Sequence, residues 1–329
     1  MKYLLVADTH LGIYGDSDAW HIVALNIFKD IIDTCHRENI DTIIHLGDFF
    51  HNRKSINTKT QAVAHGIAAM LDNFHTFMIV GNHDSYYRNT ITPNSLQFLN
   101  QYKHITVVDI PTEIDPDIIA VPWGWHDIKS NHKYCMGHFQ ISGFHMNDNY
   151  ICKDGDDIRN FSEFEQVYSG HFHTPSQKGN ITYLGAPYQQ TFNDKGGMRG
   201  YYIWEDGQLD FFPNITSPKF EVMNTNKLRL DEVKGNIVKL IFDKDYGSLE
   251  NQKIIDSVMK KEPMKLVSNF SEISMVDNEE EMDDEIKLLD HDDIIKEYVD
   301  KKCKLPENMN KNMLLNIIMK LTGEIRNDN

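Results

Sequence analysis

The chain has 329 residues, with 33 Lys and Arg against 49 Asp and Glu, a formal net charge of −16. A hydrophobic content of 40% and a charged content of 25% exclude a wholly disordered or collagen-like chain, and the acidic balance argues against a general basic nucleic-acid binder. The length fits one large domain with an appendage, or two domains, with ample core.

Residues 3–7 form an apolar run that stops at Asp8 and reads as a strand; it is too short for a signal peptide. Trp20, Val23, Ala24, Ile27, Phe28, Ile31, Ile32 and Cys35 then recur at helical spacing. Residues 42–46 read as a second buried strand, 62–71 as a second helix and 76–80 as a third strand. This alternation predicts a layered α/β domain. Further strands are expected at 118–121, 133–137, 166–169, 181–184 and 200–204. The last leads through Asp206-Gly207, a hairpin signal, into 208–212.

Residues 236–242 alternate like a strand, 249–261 have a helical period, and 265–270 are strand-like again, so a small β-α-β region is expected over roughly residues 219–270. The composition then shifts. Residues 271–300 hold 13 acidic residues and two lysines, a local charge of −11, and the run 277–285 reads as a solvated linker. Two helical segments follow, at 290–302 and 310–325. In 313–321 seven of nine residues are hydrophobic, wider than one stripe, so this segment calls for burial on more than one side. No stretch reaches the roughly 18 apolar residues of a membrane helix. Cys35, Cys135, Cys152 and Cys303 show no C-x-x-C spacing, which predicts a reducing cytosol and no cysteine-based zinc site.

Histidine is the unusual residue: 15 of the 16 lie between His10 and His173. Five apolar runs each stop at a short polar segment: Asp8-Thr9-His10, Gly47-Asp48, Gly81-Asn82-His83-Asp84, Gly137-His138 and Gly170-His171-Phe172-His173. Strand ends of an open α/β sheet converge on one rim, so these side chains can meet. Asp8, His10, Asp48, Asn82, His138, His171 and His173 offer carboxylate, amide oxygen and imidazole. Seven such groups exceed one tetrahedral ion and suit two ions of five or six coordination with a bridging carboxylate. Without a thiolate the set favours Mn²⁺, Fe or Ni over structural Zn²⁺. His145, seven residues after His138, is an alternative ligand to it. Gly47, Gly81, Gly137 and Gly170 each precede a ligand, where a sharp turn needs positive φ or close packing. A chance G-N-H-D is expected only about 0.002 times in a chain this long.

These motifs resemble the calcineurin-like metallophosphoesterase superfamily. Within it, GDFFHNRKS, GNHDSYYRN, VPW at 121–123, GHFQISG, SGHFHT and YLGAP at 183–187 resemble the SbcD-type DNA double-strand-break repair nuclease subunits. In length and tail the chain is most similar to tailed-phage recombination nuclease subunits. The resemblance covers 1–213 by motif and 287–326 by organisation; 214–270 matches only as a small second domain of the right size.

The resemblance implies a four-layer α/β/β/α sandwich with a small α+β capping domain and a C-terminal helical tail. The divisions it implies are a nuclease domain at 1–213, a capping or DNA-binding domain at 214–270, an acidic linker at 271–286 and an ATPase-binding tail at 287–329. It implies one metal on Asp8, His10, Asp48 and His173 and a second on Asp48, Asn82, His138 and His171, with Mn²⁺ expected. His83 would protonate or orient the leaving 3′ oxygen, Asp84 would hold the His83 imidazole, and His51 would help to select DNA ends and strands. The implied activity is that of a 3′-to-5′ DNA exonuclease and single-strand endonuclease. It would be the catalytic subunit of a complex with a large SbcC-type coiled-coil ATPase, acting in recombination and repair. A homodimer through 60–71 and 95–101 is implied as well. Another metallophosphoesterase, a protein phosphatase or cyclic-nucleotide phosphodiesterase, is the alternative. Against it, GDFFHNRK and GNHD stand where protein phosphatases carry D-R-G and GNHE.

Trp20, Trp123 and Trp125 read as core or pocket-wall aromatics rather than base-stacking platforms. Arg53, Lys54, Tyr86, Tyr87 and Arg88 flank the motifs and fit either phosphate contact or a solvated loop. The segment 271–300 carries most of the net charge, leaving −5 elsewhere, so the acidity does not count against a DNA substrate. The expected location is cytoplasmic, within a host cell if the abundant Asn, Ile and Lys mark a viral genome.

Overall fold

The computed structural model describes residues 1–270 apart from 88–89, 127, 129–130 and 148–149; the expected linker and tail, 271–329, lie outside the described residues. Two six-stranded sheets are built from β1 (Lys2–Val6), β2 (Thr42–His45), β3 (His75–Ile79), β4 (Ile105–Val108), β5 (Thr112–Asp115), β6 (Ile118–Val121), β7 (Tyr134–His138), β8 (Gln166–Gly170), β9 (Ser176–Lys178), β10 (Ile181–Tyr183), β11 (Gly200–Glu205) and β12 (Gln208–Pro213). The first sheet has the order β12-β11-β1-β2-β3-β4 and the second β9-β10-β8-β7-β6-β5. Strands β1 to β4 are parallel to one another, as are β6, β7, β8 and β10.

Alternation along β1 explains the layering. Tyr3, Leu5 and Ala7 point into the core between the sheets with Ile44, Ile79, Met136, Tyr168 and Trp204. Leu4 and Val6 point the other way, onto the helices. A strand buried on both faces therefore reads as an unbroken apolar run. Helix α1 (Asp18–Glu38) buries Trp20, Val23, Ala24, Ile27, Phe28, Ile31 and Cys35 on that outer face and ends at Asn39 in the left-handed region (φ 53°). Helix α2 (Thr58–Leu71) starts where the Asn57 side chain accepts from Lys59 N–H at 2.8 Å. The layered sandwich is present, but its fourth layer is thin. Among the described residues, the outer face of the second sheet is covered by a 3₁₀ turn (Ile158–Phe161) and a short hairpin (His145–Asn147 with Tyr150–Ile151) rather than by an α-helix.

A third, parallel sheet comprises β13 (Phe220–Asn224), β14 (Ile237–Phe242) and β15 (Lys265–Phe270), with helix α3 (Ser248–Met259) between the last two. Its small core holds Met223, Val233, Val238, Leu240, Phe242 and Val258, while Phe220 and Ile237 reach into the main core. Within the three sheets, the strands absent from the sequence reading are β4, β5, β9 and β13, and the short hairpins outside them were absent too; β4, β5 and β9 lie at sheet edges, where half-exposure blurs the apolar pattern. Cys35, Cys135 and Cys152 are buried free thiols. No helix among the described residues is long and apolar enough to cross a membrane.

Candidate metal centre

The parallel strands deliver the predicted side chains to one rim. Asp8 and His10 follow β1, Asp48 follows β2, and Asn82 and His83 follow β3. From the second sheet, His138 ends β7 and His171 and His173 follow β8. The seven predicted ligands come together. His10 Nε2 lies 3.0 Å from His173 Nε2 and 3.6 Å from Asp48 Oδ2. On the other side of the same carboxylate oxygen, His138 Nε2 is 3.4 Å away. Asn82 Oδ1 is 2.9 Å from both His138 Nε2 and His171 Nδ1. Ligand atoms of Asp8, His10 and His173 form one group and those of Asp48, His138 and His171 another, each within 4.8 Å. His145 is exposed and pairs with Ile151 in the outer hairpin, outside both groups, so His138 is the histidine the fold brings in.

Backbone strain marks the centre. Asp8, His10, Asp48 and His171, none of them glycine, have φ of 54°, 42°, 57° and 95°. Left-handed conformations cost such residues of order 1–3 kcal/mol each and persist where the surroundings dictate them. Hydrogen bonds hold the conformation: Asp8 N–H and His10 N–H donate to Gly47 O and Asp48 O at 3.0 Å, and His171 N–H donates to Asp8 Oδ1 at 2.9 Å. Gly47 has φ 92°. Gly81 meets a different demand, because a Cβ there would sit 2.2 Å from Asp48 Oδ1.

The electrostatics fit cations. Burial raises the Asp8 carboxyl to about 6. Burial alone would raise Asp48 too, but His138 and His83 hold it well below the usual carboxylate range. Burial keeps His10 and His171 well below the ordinary imidazole range; at His138 it is outweighed by Asp48 and Asp8, which raise the group to about 9. Two carboxylates and three imidazoles thus share a buried space, and the buried Nδ1 of His10 has no hydrogen-bond partner. Cis ligands at about 2.1 Å from a metal lie about 3 Å apart, which the 2.9–3.6 Å spacings match. The Nδ1–H of His138 donates to Leu46 O at 2.7 Å, leaving Nε2 as its ligand nitrogen.

The catalytic candidates need one correction. Asp84 does not hold His83. Its buried carboxylate accepts from Phe50 N–H and Gly81 N–H at 3.0 Å and from Phe49 N–H at 3.3 Å. Adjacent residues on a tight turn point apart, so Asp84 ties the loop after β2 to the loop after β3. The Nδ1–H of His83 donates instead to the main-chain carbonyl of His51, 2.7 Å away. The half-buried His51 ring stacks on His83 at 5.7 Å and meets the edge of His10 at 5.5 Å. Trp20 is a core residue, Trp123 lies tilted against His171 at 5.1 Å, and Trp125 is exposed. Arg53 and Lys54 follow His51, Tyr86 and Tyr87 are exposed on the hairpin Ser85–Tyr87 with Thr90–Asn94, and Arg88 lies outside the described residues.

Supporting residues that the sequence reading missed lie in 188–194. The Tyr188 hydroxyl donates to Thr9 O, and Gln190 Nε2 donates to Asp8 O at 2.6 Å. Asp194 gathers Gln190 N–H at 2.8 Å and Arg199 Nη2 at 2.9 Å. The available signal was two glutamines set between Tyr188 and Phe192, which are buried at 6% and 1% exposure.

The chain matches the family Calcineurin-like phosphoesterase over residues 1–175. It is 30% identical over 326 residues to exonuclease subunit 1 of Enterobacteria phage T4, covering 91% of this chain and 92% of that one. Solved structures with similarity include a nuclease, MPE, of Pseudomonas putida (19% identity, TM-score 0.36, 64% of this chain and 87% of that one). A dimetal phosphatase from Danio rerio is also similar (10% identity, TM-score 0.36, 62% and 91%).

Proposed function

The chain belongs to the calcineurin-like phosphoesterase family, a metal-dependent hydrolase of phosphodiester bonds, and from that premise we propose that it is a two-metal DNA nuclease. One observation carries the two-metal reading: Asp48 Oδ2 stands between His10 Nε2 at 3.6 Å and His138 Nε2 at 3.4 Å. Asp8, His10, Asp48 and His173 would hold one cation and Asp48, Asn82, His138 and His171 the other, with Mn²⁺ the expected metal. Two such cations would lower the pKa of a bound water so that hydroxide is available at neutral pH, and would neutralise charge on the phosphate oxygens. The chain's own part is orientation and proton movement. With Nδ1–H held by the His51 carbonyl, His83 in its doubly protonated form would donate Nε2–H to the leaving 3′ oxygen. His51, stacked on that ring, lines the path by which a strand end would approach.

DNA is the proposed substrate. The relative from phage T4 is named an exonuclease subunit, and its similarity covers 91% of this chain. The word subunit supports a partner. The proposed partner is a large coiled-coil ATPase of SbcC type, engaged by the apolar tail at 287–329, with a homodimer through α2 and the 3₁₀ turn Ser95–Gln101. Residues 214–270 would then cap the nuclease domain and contact DNA, and the complex would work in the cytoplasm, on recombination and repair intermediates.

The test is a Mn²⁺-dependent assay on linear duplex and single-stranded DNA. Degradation from 3′ ends together with single-strand endonucleolytic cutting is expected. Rapid phosphate-monoester turnover without DNA cleavage would favour a phosphatase. Deleting 287–329 is expected to abolish co-purification with the ATPase and leave basal cleavage intact; unchanged co-purification would refute the docking assignment.

A further inference from the structure

A cavity of about 340 Å³ opens beside His138 and is lined by Trp123, Trp125, His126, Phe139, Gln140 and Asp156 among others. It shares His138 with the candidate metal centre, and its other lining residues stand outside the candidate ligand set. Its size and lining match ligand pockets, which run from about 300 Å³ and combine apolar walls with a few convergent polar groups.

Trp123 is held from within: its main-chain N–H donates to Val80 O at 2.9 Å, and its ring lies 5.1 Å from His171 and 5.9 Å from His138. That wall is thus continuous with two of the candidate ligands. Trp125 follows a left-handed turn at Gly124 (φ 76°) and is 38% exposed. It lines the cavity and is partly open to water. The rim is polar. His126 Nδ1 is 3.0 Å from Asp156 Oδ1, and Gln140 is steadied by Nε2 donating to Asp154 O at 2.9 Å. A phosphodiester seated on the metal centre would place its attached nucleoside next to His138, at the entrance of this cavity.

We infer that the Trp123–Trp125 cavity binds the nucleobase of the nucleotide whose phosphate is attacked. The inference rests on the phosphodiesterase reading of the metal centre and adds a base subsite to it. A flat aromatic base stacks on Trp125 whatever its identity, because every base presents a π-face. The His126–Asp156 pair and the Gln140 amide meet the base edge. Grip of this kind is tolerant of sequence, and it gives the centre a preference for nucleotides over other phosphate esters.

The test compares the p-nitrophenyl ester of thymidine 5′-monophosphate with methyl p-nitrophenyl phosphate, which has no base, on the full chain with Mn²⁺. The wild type is expected to favour the thymidine ester. Trp125→Ala is expected to reduce the kcat/KM ratio between the two esters about tenfold, through KM, and Trp125→Phe to keep most of the preference. In parallel, deoxythymidine 5′-monophosphate is titrated against tryptophan fluorescence; quenching is expected in the wild type and is to be weaker in Trp125→Phe. An unchanged ester ratio in Trp125→Ala, with equal quenching in wild type and Trp125→Phe, overturns the base subsite while leaving the hydrolase reading intact. If neither ester is hydrolysed, the hydrolase reading fails and the nucleotide titration alone decides the subsite.

Discussion

His83 and His51 are joined by main chain rather than side chain: the Nδ1–H of His83 donates to the His51 carbonyl at 2.7 Å, and the two rings stack at 5.7 Å with 21° between planes. The tautomer of His83 is therefore set by an atom that a side-chain substitution at 51 leaves in place. His83→Ala is expected to lower phosphodiester turnover by about 10²- to 10⁴-fold while metal analysis still finds two ions per chain. His51→Ala is expected to keep turnover of a small phosphodiester within about tenfold, as the His83 hydrogen bond survives, and to shift the ratio of duplex-end to single-strand cleavage. Wild-type turnover in His83→Ala would remove that residue from the chemistry.

Asp84 answers to stability more than to proton transfer. Its carboxylate is buried and accepts three backbone amides from two loops. Asp84→Asn replaces one acceptor oxygen by an NH₂ that faces those N–H groups. Leaving buried donors unpaired costs about 1–3 kcal/mol each, so urea unfolding is expected to show a loss of at least the lower of these figures. A stable Asp84→Asn protein with altered pH dependence of turnover would instead return Asp84 to a role at His83.

How much of this was readable from the residues follows from what each signal reports. The ligands were legible because each stands where an apolar run stops, and parallel strands bring such stops together. His138 against His145 was open in the sequence, and topology separates the two: one ends β7 beside the other candidate ligands, the other lies on the outer hairpin. The partners of Asp84 were not legible, because the amides it accepts from include Phe49 and Phe50, 35 and 34 residues away in the chain. Edge strands β5 and β9 were missed because TEID and SQK carry little apolar pattern. The clamp from Tyr188 and Gln190 was missed for the same reason as Asp84: its targets are main-chain atoms about 180 residues earlier, visible only once the chain is folded.

Gly81 tests the closeness of the rim. A Cβ there would lie 2.2 Å from Asp48 Oδ1 and 2.3 Å from Asp48 N, and real Cβ contacts do not approach so near. Gly81→Ala must push Asp48 aside, and Asp48 is the carboxylate shared by both candidate metal sets. The expected result is weakened binding of both ions together, read by calorimetric titration with Mn²⁺, in a protein whose far-ultraviolet circular dichroism is unchanged. Full metal stoichiometry at wild-type affinity would mean that Asp48 does not bridge.

The strained turn Asp8–His10 is held from outside by Tyr188 and Gln190, whose side chains donate to Thr9 O and Asp8 O. Asp8 and His10 sit at φ 54° and 42°, so without those donors their backbone loses part of what holds it there. Relaxation would rotate Asp8 and His10 of the first candidate set directly, and would reach the second set only through the His171 N–H that the Asp8 carboxylate accepts. Tyr188→Phe and Gln190→Ala are therefore expected to weaken one ion selectively, by about 10- to 100-fold as for other groups that orient ligands. Two-step metal titration distinguishes this from a general loss of stability, which would weaken both steps alike. Asp194→Asn should show the same selective loss, since it reaches Asp8 through the Gln190 main chain and its charge faces His173 of the same candidate set. Equal weakening of both steps in all three variants would make the 188–194 segment a structural support and no more.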